Sequence, residues 1–259
     1  MVKFFNSFNK IALVVEYDGR HYYGLQWQAD LPTIQAELER AIQKLTGESS
    51  RVIAASRTDA GVHAKGQVVS FRTNSILPPQ TFMRALNHYL PEDIAVRGAC
   101  SVSEDFNVRR NALSREYEYC ILNGSTRSPL AKGFAYLVAN ELNIEIMNKA
   151  CQFLEGKHDF ASFATSLGRL RSTVRNIYEA RVTREDRFVT FHVIANSFLP
   201  HQVRNTIGLL IRVGLGKVGL EEFHRIMEAR TLGMAGPTAP AYGLCLTKVN
   251  YPSSLELEI

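Results

Sequence analysis

The chain has 259 residues, 46% of them hydrophobic and 21% charged, a globular composition able to bury a sizeable core in one large domain or two small ones. With 30 Lys+Arg against 25 Asp+Glu the net charge is +5. So modest a surplus admits a polyanionic partner without demanding one, and the most apolar late stretch, 207–215, is too short and too interrupted by Arg212 to span a membrane.

Residues 1–10 have neither a long apolar core nor a small-residue cleavage site, so no signal peptide is expected. A strand is predicted at 11–17. Pro32 and Thr33 then open a helix with Ile34, Leu38, Ala41, Ile42 and Leu45 on one face, stopped by Gly47. Strands follow at 51–55 and 66–71. A second helix runs from Pro79 through Phe82, Leu86 and Tyr89 to Pro91, and a strand covers 94–102. Strand, helix, strand, strand, helix, strand is the split βαβ order of ferredoxin-like and RRM-like domains.

The second half repeats that order. A strand is predicted at 114–122 and a helix at 144–154, with Gly156 as its stop. Strands at 174–183 and 188–194 are joined by the polar turn 184–187. A helix carrying Val203, Ile207, Leu210 and Ile211 comes next, with Pro200 at an early helical position. An extra helix at 220–229 and a strand at 244–251 close the chain. The fold class is therefore α+β: two pseudo-repeated βαββαβ halves, 1–105 and 106–259, with a junction near 103–110 and no low-complexity linker. Such halves are expected to pack around a central antiparallel sheet, with a cleft between their loops wide enough for an RNA stem.

Cys100, Cys120, Cys151 and Cys245 are scattered singly among apolar neighbours. None has zinc-ligand or redox spacing, so reduced core thiols in a cytoplasmic protein are expected, and no metal. His158 and Asp159 lack partners at metal spacing and read as part of a capping and packing loop.

The most informative run is Ala55-Ser56-Arg57-Thr58-Asp59-Ala60-Gly61-Val62-His63-Ala64. Strand-like segments flank it, and Gly61 gives the turn its backbone freedom. One carboxylate beside one guanidinium at a strand end presents an ionised Asp without burying it alone. A three-residue match here would be an ordinary turn, but ten consecutive residues are more. The run resembles the catalytic motif of the TruA family of tRNA pseudouridine synthases, which reads Gly or Ser followed by Arg-Thr-Asp-Ala-Gly-Val-His-Ala. The likeness extends from Tyr17-Asp18-Gly19 to Tyr251-Pro252.

Three further segments carry it. In 111–119, alternation puts Arg115, Tyr117 and Tyr119 on one strand face, with Glu116 and Glu118 on the other. The resemblance implies that Tyr117 stacks on the target uracil, a role suited to a phenol ring. In 196–205, which resembles Phe-x-x-His-x-Val-Arg-Asn, it implies that Arg204 pairs with the catalytic aspartate; Pro200 stands where many members carry a second histidine. In 239–246 it implies that Leu244 lines the base pocket, while Tyr242 replaces a frequent glutamate. His63 is expected to support its loop or touch RNA. Basic residues Arg57, Lys65, Arg72, Arg84, Arg109, Arg110, Arg115, Arg169, Arg171 and Arg175 suit a phosphate backbone.

The implied reaction breaks the N-glycosidic bond, turns the uracil and rejoins it through carbon. It needs no cofactor, in line with the lack of Rossmann and P-loop motifs. Asp59 is the carboxylate expected to attack as nucleophile or to deprotonate the sugar, in a pocket that retains the detached base. Arg57 is expected to fill the gap left by the flipped uridine, offsetting unstacking of a few kcal/mol. The resemblance further implies a homodimer acting at positions 38, 39 and 40 of the tRNA anticodon stem-loop. Two rival readings fit less well. An RRM-type binding module would display a Lys/Arg-Gly-Phe-Gly-Phe-type motif, and a glycoside hydrolase would need a second carboxylate facing Asp59.

Overall fold

A computed structural model describes residues 9–166 and 172–253 as an α+β chain, with ten strands and five α-helices among the described residues. The chain divides into two compact units. One takes the described residues of Met1–Leu113 and Leu246–Ile259, the other those of Ser114–Cys245.

The first unit runs β1 (Asn9–Tyr17), α1 (Ile34–Thr46), β2 (Ile53–Ala54), β3 (His63–Thr73), α2 (Pro79–Tyr89) and β4 (Ile94–Val102), the order expected from the sequence. β1 lies between β4 and β3, antiparallel to both. That central place explains its unbroken apolar run, because Ile11 to Val15 are all buried. α1 begins where the sequence predicts. The Thr33 hydroxyl accepts from the Ala36 N–H at 3.3 Å, and Gly47 ends the helix at φ 74°. Its buried stripe of Ile34, Leu38, Ala41 and Ile42 is the predicted face. Phe82 of α2 meets Phe71 of β3 edge to face, ring centroids 5.6 Å apart.

The second unit holds β5 (Ser114–Asn123), β6 (Tyr136–Val138), α3 (Ile144–Gln152), β7 (Gly156–Asp159), β8 (Val174–Glu185), β9 (Phe188–Ala195), α4 (Gln202–Gly214) and α5 (Leu220–Glu228). Strand order is β5-β9-β8-β7, antiparallel throughout, and β6 adds to β5 in parallel. The last strand, β10 (Leu244–Asn250), gives its residues from Leu246 onward to the first unit, where it neighbours β3. A side chain at Gly66 of β3 would run into the Thr247 carbonyl, so this pairing depends on a glycine.

The structure revises several local expectations. β6 and β7, three and four residues long, carry too little periodicity to be read from sequence. Gly156 opens β7 rather than stopping α3, which already ends at Gln152. The polar turn 184–187 tightens to its last two residues because β8 continues to Glu185, and Asp186 takes φ 54°. Pro200 lies outside α4: His201 is the N-cap, at φ 60°, and the helix starts at Gln202. The predicted apolar face of α4 is present, but most of the helix is buried all round, polar Gln202, Asn205 and Thr206 included.

Candidate active site

In the first unit the expected catalytic run forms the connection between β2 and β3, which pair antiparallel as Ile53 with Ser70 and Ala54 with Val69. β3 begins at His63, so the predicted polar turn shortens to 55–62. Its backbone is held from several sides. The Gln67 side-chain amide binds both backbone groups of Ser56, accepting at 3.2 Å and donating at 2.9 Å. The Thr58 hydroxyl shares a buried 2.7 Å hydrogen bond with the Tyr17 hydroxyl. The Asp59 carbonyl accepts from the Val62 N–H at 3.2 Å, and Gly61 turns the chain at φ 79°.

A second segment lies directly against this loop. Leu25 N–H donates to the Thr58 carbonyl at 3.1 Å, and Gly61 N–H donates to the Tyr22 carbonyl at 3.3 Å. Between them Gly24 adopts φ +90°. A Cβ there would sit 2.8 Å from the Thr58 oxygen and 3.2 Å from both Ala60 N and Asp59 C. Only a glycine lets the chain pass so close to the Asp59 peptide. The Tyr22 hydroxyl donates to Asp93 at 2.6 Å; burial first, then the Asp93 bond and charge, raise that phenol far above its ordinary value. Asp59 is left half-buried, on a loop anchored at both shoulders.

His63 closes the far end. It is buried, its Nδ1 accepts from Gly19 N–H at 3.1 Å, and it lies 3.2 Å from the Asp18 carboxylate. Burial works to raise Asp18, but the Arg20 side-chain and backbone hydrogen bonds, with the Arg20 charge, outweigh it and hold the acid below its ordinary value. His63 thus supports the loop, as one of the two roles expected of it. Arg57 is exposed.

In the second unit Tyr117 and Leu244 are each 5% exposed. The Tyr117 ring stands edge-on to Phe198, centroids 5.3 Å apart at 89°. The expected strand alternation holds, with Arg115, Tyr117 and Tyr119 buried and Glu116 and Glu118 half-buried. Arg204 is half-buried, and its Nε–H donates to the Ala239 carbonyl at 2.8 Å while Ala239 N–H returns a bond to the Arg204 carbonyl at 3.1 Å. Residues 236–240 follow α4 as a strap. Arg212 binds the Gly236 carbonyl at 3.1 Å, Gly208 lies under the Pro237 carbonyl, and Thr238 Oγ1–H donates to Asn205 at 2.6 Å. The strap ends at Pro240, whose carbonyl accepts from the Tyr119 hydroxyl at 2.9 Å. A Cβ on Gly243 would lie 2.6 Å from that tyrosine's ring. Burial first, with the Tyr242 and Tyr136 hydroxyls adding to it, raises Tyr119 far above the ordinary phenol range, so it stays a neutral donor.

The basic set divides. Arg84 and Lys65 are exposed, and Arg109 reaches the Ala54 carbonyl at 3.3 Å. Arg115 is buried and donates to the Asn196 carbonyl at 2.7 Å, so it serves the β5–β9 pair rather than a solvated face. Arg175 is half-buried and donates to the Ser172 and Val174 carbonyls; burial lowers its basicity. Arg169 and Arg171 lie outside the described residues. Asp159 accepts from Ala161 N–H at 3.0 Å and His158 contacts the Glu155 carbonyl at 2.7 Å, a capping and packing loop. No cluster of three metal-ligating side chains occurs among the described residues. Sequence reasoning missed Gln67, Gly24, Phe198 and the 236–240 strap; of these, only the pair of glycines at 19 and 24 around an aromatic run is a visible cue.

Comparison with known proteins follows this geometry. A family model described as tRNA pseudouridine synthase matches residues 13–109 and 150–252. A protein named tRNA pseudouridine synthase A from Acetivibrio thermocellus is 42% identical over 241 residues, covering 93% of this chain and 99% of its own. Its namesake from Chloroflexus aurantiacus is 42% identical over 249 residues, 95% of this chain and 90% of that one. Another from Shewanella sediminis is 39% identical over 248 residues, covering 96% and 95%. Among solved structures, an archaeal box H/ACA sRNP Nop10–Cbf5 complex is similar over 78% of this chain and 44% of that one, at 13% identity and a TM-score of 0.36, too distant to bear on the site.

Proposed function

From the premise that this chain belongs to the tRNA pseudouridine synthase family, and so is an enzyme that isomerises tRNA uridine to pseudouridine, we propose that Asp59 carries the reaction. The observation that carries this reading is the mounting of Asp59: a half-buried carboxylate on a loop fixed by Tyr17, Gln67 and the segment around Gly24. A reacting group held by locked neighbours keeps its attack geometry, which is worth orders of magnitude in rate.

In the reaction the bond from uracil N1 to C1′ breaks and a bond from C5 to C1′ forms. The hydrogen on C5 leaves as a proton and N1 gains one, so no oxidant or group donor is consumed. Asp59 either bonds to the sugar as nucleophile or removes a proton from it while the base turns. Tyr117 stacks on the uracil, and Leu244 closes the pocket that retains it. Arg204 is the cation that pairs with the catalytic carboxylate. Support for that role is the resemblance of its helix together with the double tether of its residue to Ala239. Arg57, exposed on the same loop as Asp59, takes the space vacated by the flipped uridine.

The substrate region is the anticodon stem-loop, with uridines 38, 39 and 40 as targets, and the working form is a cytoplasmic homodimer. These readings are supported by the TruA-like motifs, and the relatives' shared name supports tRNA as the substrate. The test is tritium release from tRNA labelled at uracil C5. Asp59→Ala is expected to release no label while still binding tRNA, and full residual turnover would refute the assignment. Transcripts lacking uridine at 38, 39 and 40 are expected to release none with the intact enzyme, and a mass measurement by light scattering is expected to give two chains per particle.

A further inference from the structure

Trp27 is the only tryptophan in the chain, and 46% of its surface is exposed. Its position is nevertheless fixed. Its backbone N–H donates to Gln35 Oε1 at 2.9 Å, and the buried Gln35 in turn donates to Glu39 at 2.7 Å and to the Val52 carbonyl at 3.0 Å. Glu39 pairs with Arg51 at 3.3 Å, and the Arg51 guanidinium carbon lies over the indole, 5.7 Å from the ring centroid. An arginine on an aromatic face is a favourable cation–π arrangement. A large ring left open to water, on a backbone held by Gln35 and with the Arg51 guanidinium over its face, is a positioned surface.

Its place in the chain gives that surface a use. Leu25 N–H is 3.1 Å from the Thr58 carbonyl. Trp27 is two residues further on, so its Cα lies within about 12 Å of that carbonyl, next to Asp59. Arg51 also lines a groove of about 480 Å³ in the same unit, together with Lys10, Ser50, Arg72, Asn74 and Asn107. The acid that lines it, Glu48, is already engaged by the Thr73 hydroxyl and the Asn74 N–H.

We propose that Trp27, backed by Arg51, is a stacking platform for an unpaired tRNA base flanking the target uridine, with that strand's phosphates continuing into the groove beside Arg51. It rests on tRNA being the substrate. Base–aromatic stacking tolerates any sequence because every base has a π-face, so the platform supplies grip and register rather than base identity.

Because Trp27 is the sole tryptophan, emission excited at the red edge of indole absorption, where tyrosine does not absorb, reports this residue alone. Titration with an unmodified tRNA transcript is expected to quench that emission, saturating in step with binding measured on filters. Trp27→Ala is expected to raise KM roughly 5- to 150-fold while kcat holds, and Trp27→Phe, which keeps a ring, to recover most of the loss. Emission that stays constant at tRNA saturation overturns the platform, as does an unchanged KM in Trp27→Ala. Should the alanine variant fold poorly, the wild-type titration and Trp27→Phe decide. A protein whose emission responds to tRNA but which releases no label would leave the platform standing and remove the catalytic reading instead.

Discussion

Gly24→Ala is the substitution whose consequence the structure defines best. Two costs add. An alanine at φ +90° loses roughly 1–2 kcal/mol to backbone sterics, and its Cβ would meet the Thr58 carbonyl at 2.8 Å and the Asp59 carbonyl carbon at 3.2 Å. Those neighbours are backbone, so relief requires the loop that carries Asp59, the proposed reacting group, to shift by several tenths of an ångström. A shift of about 1 Å at a reacting group costs on the order of 100-fold, and a fraction of that displacement predicts a 10- to 100-fold fall in kcat. Gly47→Ala is the control. It stands at φ +74° with nothing within 4 Å of its added Cβ, so it carries the backbone cost alone, at the end of α1. Tritium release and urea unfolding, run on both variants, separate the two costs. Gly47→Ala is expected to lose about 1–2 kcal/mol of stability, Gly24→Ala to lose more, and only Gly24→Ala to lose turnover. A Gly24→Ala enzyme with wild-type kcat, or equal loss of kcat in both variants, would sink the reasoning.

Three other outcomes follow from the same contacts. Gly208→Ala drives a methyl into the Pro237 carbonyl on a buried helix; urea unfolding is expected to register a loss of about 1–3 kcal/mol, and kcat to fall as well, because the displaced strap carries the carbonyl that holds Arg204. The Asp18 carboxyl is held below its ordinary value in the folded chain. It therefore adds stability above about pH 4 and loses it as pH falls through the lowered value. Urea midpoints at pH 7 and pH 3 should thus differ less in Asp18→Asn than in the wild type, and equal differences would contradict the pairing with Arg20. Burial pushes the Cys151 thiol up to about 12, so it is expected to resist iodoacetamide in the native protein and to react on unfolding, as peptide mapping would read.

Much of this protein was legible in its chain because the governing physics is local. Thr33 and Gly47 bracket α1 as a helix cap and a left-handed stop, and those signals act over four residues or fewer. The strand-helix order of the first unit, and of the second apart from β6 and β7, emerged from apolar periodicity, and a ten-residue run singled out Asp59. Expectations weakened where pairing partners are distant. β6 is too short to show a period, and it exists because Ile121 to Asn123 offer a parallel edge. Arg115 reads as a surface cation until β5 meets β9 and its guanidinium finds the Asn196 carbonyl.

Composition, most of the element order and the choice of Asp59 as the candidate carboxylate were thus written in the amino-acid string itself. What holds that carboxylate was decided only on folding: a tyrosine 41 residues away in sequence grips Thr58, and a glycine from a separate loop lets backbone lie on backbone. Hydrogen bonds and close approaches of this kind depend on separations in space, and no local pattern in a sequence encodes which remote group will arrive at 2.7 Å.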